Sequence, residues 1–183
     1  MTFPAEIETE RLLLKAVTPA VIHEAFRTLP PAAIRQVFGV DDAGFEHLRS
    51  MHEGGMETFR ISAFHFLIHE KSSGLPVGDC GFHTWNSTHH RAELFYALRT
   101  DAFKRKGYMT EALPPVIAYG FTQLHLHRIE VLVASWNTPS VRLIEKNGFI
   151  KEGTRRQDYL QDGSFDDSES YSMLKPEWEQ RRR

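Results

Sequence analysis

The chain has 183 residues, about the size of one domain, and its 41% hydrophobic and 25% charged content excludes a disordered polypeptide. Its 22 basic and 24 acidic residues nearly cancel to a formal net charge of −2, which leaves no basic excess for holding nucleic acid non-specifically. Cys80 is the single cysteine, so no internal disulfide can form, and a reducing compartment suits the chain.

No apolar run approaches the roughly 18 residues of a membrane helix. Met1-Thr2-Phe3-Pro4-Ala5-Glu6 shows no basic stretch followed by an apolar core, so no secretory signal is expected. These features predict a cytoplasmic protein without nucleic-acid or membrane partners. No repeat or low-complexity linker interrupts residues 1–183, which predicts a single domain.

Arg11 to Val17 is a short apolar run ended by Thr18-Pro19, a strand followed by a helix start. From Pro19 to about Met56 the composition is helical, with breaks at Pro30-Pro31 and Gly39 that predict two or three short helices. Ile61 to Glu70 is aromatic-rich and reads as a strand buried on both faces. Lys71 to Pro76 is a hairpin loop, and Val77 to Trp85 is the return strand. After the polar turn Asn86 to His90, Ala92 to Leu98 is a further strand.

Gly107 to about Leu126 reads as a helix with an apolar face of Met109, Leu113, Val116, Ile117 and Phe121, bent near Pro114. Arg128 to Val133 is a strand. Thr138-Pro139 opens a helix that Asn147-Gly148 closes. Phe149 to Leu160 and Asp167 to Leu174 predict a last hairpin around Asp162-Gly163. The order predicts an α+β fold with a mixed sheet. Arg181-Arg182-Arg183 reads as a solvated terminus.

Two segments carry chemistry. Lys104-Arg105-Lys106-Gly107-Tyr108-Met109-Thr110 places basic residues and a glycine at a helix start, where unpaired amides and the helix dipole bind an anion such as phosphate. Asn137-Thr138-Pro139-Ser140 directly follows a strand, and Glu145-Lys146-Asn147-Gly148-Phe149 closes the ensuing helix. Ordinary capping explains the second segment equally well when it is taken alone.

Together with Glu8-Thr9-Glu10-Arg11-Leu12-Leu13-Leu14, Ala92-Glu93-Leu94-Phe95-Tyr96, Glu111-Ala112-Leu113, Tyr171-Ser172-Met173-Leu174 and Glu177-Trp178, these segments resemble the GNAT (Gcn5-related) N-acetyltransferase superfamily. The resemblance covers nearly the whole chain and is nearest to the Rim-type branch, which acetylates N-terminal amines of ribosomal proteins. It implies a mixed sheet whose splayed central strands end at Leu98 and near Ala134 and hold acetyl-CoA.

On that resemblance, backbone groups of Leu98 and Arg99 would pair with the pantetheine arm. The segment from Lys104 through Arg105, Lys106, Gly107, Tyr108 and Met109 to Thr110 would cradle the pyrophosphate. Lys104 and Met109 stand at the first and last positions of the family's loop pattern, Gln/Arg-x-x-Gly-x-Gly/Ala. Asn137 would bond the pantetheine amide, Lys146 would add a cofactor contact, and Ser140 would protonate the departing thiolate, because Ile144 replaces the tyrosine many relatives use.

Asp158, and second to it Glu93, would accept the proton of the attacking amine. The acceptor would be a protein N-terminal amine or, alternatively, a small amine such as an antibiotic, polyamine or amino acid; a non-catalytic CoA-binding protein is a further alternative. The ten histidines supply no metal cage by spacing, and no metal is expected. His65 and His83 lie on expected strands near the acceptor groove and could touch substrate, with core packing the simpler reading. Phe64, Phe66, Phe82 and Trp85 could wall a substrate cleft but read first as core packing, and Cys80 reads as a buried small side chain. The oligomeric state is open, with a homodimer among the options.

Overall fold

A computed structural model describes residues 2–55 and 63–182. In chain order the elements are β1 (Glu6–Glu8), β2 (Leu12–Val17), α1 (Pro19–Thr28), α2 (Pro31–Phe38), α3 (Asp42–Glu53), β3 (Ala63–Glu70), β4 (Pro76–Asn86) and β5 (Arg91–Leu98). After a 3-10 turn at Asp101–Phe103 come α4 (Tyr108–Thr122), β6 (Arg128–Ala134), α5 (Thr138–Asn147), β7 (Ile150–Gln161), β8 (Ser164–Leu174) and α6 (Lys175–Gln180). The strands form one mixed eight-stranded sheet in the order β1-β2-β3-β4-β5-β6-β8-β7, an α+β architecture as the element pattern predicts.

The punctuation read from sequence sets the helix ends. Pro19 and Pro31 occupy first-turn positions of α1 and α2, where a missing N–H costs nothing. Gly39, at φ 62°, closes α2 in the left-handed conformation. The Asp41 side chain accepts from Gly44 N–H at 2.9 Å and caps α3.

Three features differ from the sequence reading. Strand β1 and helix α6 are too short to carry a periodic signal. The α4 helix stops at Thr122 instead of near Leu126, with His125 left-handed at φ 53° just beyond it. The expected strand start at Ile61 lies outside the described residues.

The chain divides into two compact units. One comprises residues 1–81 and 96–112, the other residues 82–95 and 113–183. In the first, Val17, Val21, Ile22, Ala25, Ile34, Phe38, Phe45 and Leu67 form a core between α1–α3 and the sheet. In the second, Phe82, Phe121 and Ile129 are fully buried. There a Cβ on Gly120 would lie 2.6 Å from the Phe82 ring, so glycine permits that helix–sheet contact.

Helix α6 is anchored by Glu177, whose carboxylate accepts from Leu174 N–H at 2.8 Å, and by Trp178 packed 5.2 Å from the Phe121 ring. The terminal arginines expected to be merely solvated are partly used. Arg181 lies against Gly148, and the Arg182 guanidinium sits 4.7 Å from the centre of the Trp178 ring.

Parallel pairing of β5 with β6 is confined to Arg91↔Arg128, Ala92↔Ile129 and Glu93↔Glu130. Strand β5 then runs on to Leu98, while β6 stays paired with β8 up to Ala134↔Ser168. Ladder pairing between β5 and β6 therefore ends at Glu93↔Glu130.

Candidate functional site

In the first unit the segment from Lys104 to Thr110, expected to hold an anion, is built on a left-handed turn. Arg105 has φ 61° and Gly107 φ 78°, with Lys106 between them at negative φ. Alternating backbone hands turn successive N–H groups toward one concavity. The first helical bond of α4 runs from Glu111 N–H to Gly107 O, so the amides of Tyr108, Met109 and Thr110 have no acceptor within the helix. Those donors and the helix dipole suit a pyrophosphate.

Lys104, Arg105 and Lys106 are exposed around the turn. Lys104 pairs with Asp101 at 2.7 Å, and Lys106 Nζ lies 5.6 Å from the centre of the Phe103 ring. Met109 is buried, and a Cβ on Gly78 would come within 3.1 Å of its Cε. The glycine on β4 makes room for a side chain bulkier than the loop pattern favours.

The turn is pinned from 100 residues away. The Arg11 guanidinium donates to Lys106 O at 2.9 Å and to Glu111 Oε2 at 2.7 Å. Arg11 N–H and the Thr9 hydroxyl donate to Glu111 Oε1 at 2.7 and 2.5 Å. Burial pushes the Glu111 carboxyl up, but these donors outweigh it and hold the pKa below the usual range. The Tyr108 hydroxyl donates to Glu70. Thr9, Arg11 and Glu111 received no role from the sequence, because no local spacing links residues so far apart.

At the end of β5, Arg99 N–H donates to Val77 O at 3.0 Å. Strand alternation then turns the N–H and C=O of Leu98 to the opposite edge. Leu98 therefore offers main-chain partners to an extended ligand, while the Arg99 amide is committed to β4. The Arg99 side chain also has structural work, bonding Phe38 O and the Asp79 carboxylate, each at 3.2 Å. His65 lies half-buried beside this pair, and desolvation lowers its pKa, favouring the neutral ring. Cys80 is fully buried, which pushes its thiol pKa far up.

In the second unit, Asn137 is the N-cap of α5 and its Oδ1 accepts from Ser140 N–H at 3.4 Å. Its side-chain amide N–H groups are donors of a kind that a pantetheine carbonyl requires. Ser140 and Asn137 are both half-buried, whereas Ile144, one turn on, is fully buried and belongs to the core. Exposed Lys146 stands nine residues beyond Asn137, about 14 Å along the helix axis. It lines a groove of roughly 520 Å³ with Pro114, Pro115, Trp178, Arg181 and Arg182.

Glu93 and Asp158 are brought into electrostatic range of each other. The Glu93 side chain is 20% exposed, with His83 Nε2 3.7 Å from its Oε1. Burial pushes its pKa up; His83 and Arg155 pull it down, while Glu130 and Asp158 raise it further. The net shift is upward. Asp158 is exposed and lies in an irregular stretch of β7, where the register with β8 shifts between Arg155 and Tyr159 and Gln157 is left-handed at φ 53°. Among the described residues, no three His, Cys, Asp or Glu side chains converge as a metal site.

The sequence of this chain matches the family described as Acetyltransferase (GNAT) domain over residues 11–150. It is 30% identical to the uncharacterized N-acetyltransferase YoaA of Bacillus subtilis (strain 168), over 93% of this chain and 97% of that protein. It is also 30% identical to the [ribosomal protein uS5]-alanine N-acetyltransferase of Escherichia coli (strain K12), over 64% of this chain and 60% of that one. Its fold is similar to a mutant form of the spermidine/spermine N-acetyltransferase SpeG from Vibrio cholerae, with a TM-score of 0.73 at 20% identity over 96% of this chain and 100% of that one. The family match over residues 11–150 and the full-length similarity to an N-acetyltransferase show that this chain belongs to the GNAT superfamily, as an N-acetyltransferase that draws its acetyl group from acetyl-CoA.

Proposed function

We propose that the protein acetylates a protein N-terminal α-amine by direct attack on acetyl-CoA, with Glu93 as the proton acceptor. The observation that carries this reading is the half-buried Glu93 carboxyl, whose raised pKa brings it nearer neutral pH than an ordinary glutamate. An α-amine has a pKa of about 8, so a modest base suffices to free its lone pair. The similarity to the uS5-alanine enzyme supports this acceptor class.

In this reading the ammonium gives its proton through a water to Glu93, and the neutral nitrogen attacks the thioester carbonyl. The C–N bond forms, the C–S bond breaks, and the Ser140 hydroxyl protonates the thiolate. Of the two hydrogens left on the nitrogen, one restores the Ser140 hydroxyl and the other stays as the amide N–H. Asp158 supports Glu93 through its charge. Leu98 pairs with the pantetheine arm, Asn137 donates to its carbonyl, the amides of Tyr108 to Thr110 hold the pyrophosphate, and Lys104, Arg105, Lys106 and Lys146 contribute charge. In this reading residues 1–183 are a single acetyltransferase domain.

A polyamine acceptor is the second reading. The acidic set Glu93, Glu130 and Asp158 suits a small cation, and the fold is shared with SpeG. CoA release measured against peptides beginning with alanine or serine, spermidine and aminoglycosides decides between them. Turnover confined to the peptides supports the first reading, and turnover confined to spermidine overturns it in favour of the second.

A further inference from the structure

His83 on β4 makes polar contacts that the reading above does not use. The next residue, Thr84, has φ 52°, a left-handed conformation that a β-branched residue adopts only where its surroundings enforce it. In that conformation Thr84 Oγ1 lies 2.9 Å from His83 Nδ1. The imidazole also stacks on Phe95 of β5, with ring centres 5.6 Å apart and planes inclined by 26°. With Nδ1 engaged by Thr84 and the ring face held by Phe95, Nε2 is the nitrogen turned toward Glu93, 3.7 Å from Oε1.

The other charged groups acting on Glu93 are Glu130 of β6 and Arg155 and Asp158 of β7. Arg155 is shared, lying 4.0 Å from Glu130. Glu130 is also held by Arg128 at 2.7 Å and Arg91 at 3.5 Å. Of the two groups that favour ionised Glu93, His83 is thus the one with a fixed orientation, held by a hydrogen bond on one side and an aromatic face on the other.

We propose that His83 is a positioning residue for the proton acceptor: it aims the Glu93 carboxylate and keeps it ionised before each turnover. Half-exposed on its side chain, the imidazole joins Glu93 to solvent, so the proton taken from the ammonium can leave the carboxyl as the next acceptor arrives. This inference rests on the reading of Glu93 as proton acceptor. A purely structural account would instead make His83 an aromatic spacer against Phe95.

His83→Phe separates the two, because it keeps the stacked ring and removes both nitrogens. The expected result is a nearly unchanged melting temperature and KM for acetyl-CoA, with the ascending limb of kcat/KM against pH displaced upward. At the foot of that limb the rate falls about tenfold, and it recovers at high pH. The Glu93 side-chain carboxyl, followed by carbon-13 NMR without any acceptor, titrates at higher pH in the variant. Thr84→Val, which retains β-branching and removes the hydroxyl, moves the limb in the same direction.

The rate assays use the peptide with N-terminal alanine, or spermidine if that is the amine turned over. A wild-type pH profile and an unmoved Glu93 titration in His83→Phe overturn the inference while leaving Glu93 as the acceptor. Full activity in Glu93→Gln overturns both. If His83→Phe folds poorly, His83→Gln carries the same two readouts.

Discussion

Glu93 and Glu152 belong to the same unit, yet their surroundings drive them in opposite directions. Glu152 is held by the Arg128 guanidinium through two hydrogen bonds, with burial opposing, and its pKa falls to about 2. A carboxyl lowered on folding stabilises the protein above its unfolded value of 4.5, and that contribution is lost as pH falls from there toward 2. With the Glu152 side chain 41% exposed, solvent screening reduces the pair to about 1 kcal/mol. Arg128→Met should cost about 1–2 kcal/mol at neutral pH, since Glu130 loses the nearest of its arginine partners as well, and urea titration at pH 7 and pH 3 should show the deficit shrinking in acid.

Glu93 follows the reverse sign. Its pKa is raised on folding, so its favourable contribution exists at low pH and is lost as pH rises through the raised value. Ionised Glu93 is therefore a cost at neutral pH, one that the proposed role as proton acceptor accounts for. Glu93→Gln should lose on the order of 100-fold or more in kcat while melting at the wild-type temperature or above. Activity loss accompanied by a lowered melting temperature would count against this account.

At the scale of elements, the two helix starts make separable predictions. Gly107→Ala places a Cβ at φ 78°, where its nearest neighbour is the Arg11 Nη2 atom at an ordinary 3.5 Å. The cost to folding should be about 1 kcal/mol of backbone strain, with a larger effect on KM for acetyl-CoA because the new methyl group crowds the anion cradle. Asn137 can be divided in the same way. Asn137→Asp keeps the cap on α5 and removes the amide donor, whereas Asn137→Ala also forfeits about 1 kcal/mol of capping. Both variants should raise KM for acetyl-CoA, and only the alanine should lower the melting temperature.

These starts were legible because glycine, proline and asparagine act within a few residues of themselves. The tie from Arg11 and Thr9 to Glu111 was not, since hydrogen bonds across 100 residues leave no spacing to read. Arg11→Ala should loosen the phosphate turn, raising KM for acetyl-CoA several-fold with kcat little changed.

For the whole molecule, strands β4 and β5 and helix α4 each contribute residues to both compact units. A single cooperative melting transition is expected on that ground, and two resolved transitions in calorimetry would divide the chain into separately folding parts. Acetyl-CoA at 100 times its Kd should add about 2.7 kcal/mol of stability, roughly 5–10 °C for a chain of this size.

The sequence by itself determined the α+β pattern, most helix boundaries, the glycine-containing turn before α4 and the family, because periodicity, caps and motif order are local properties of the chain. It also named both carboxylates, but ranked Asp158 first. Only the tertiary structure left Asp158 exposed, half-buried Glu93, and set the His83 ring, which could equally have packed into the core, 3.7 Å from the Glu93 carboxylate. Burial and the charges brought in by β4, β6 and β7 set a carboxyl's proton affinity, and those are fixed by strand pairing across the sheet, not by the residues adjacent in sequence.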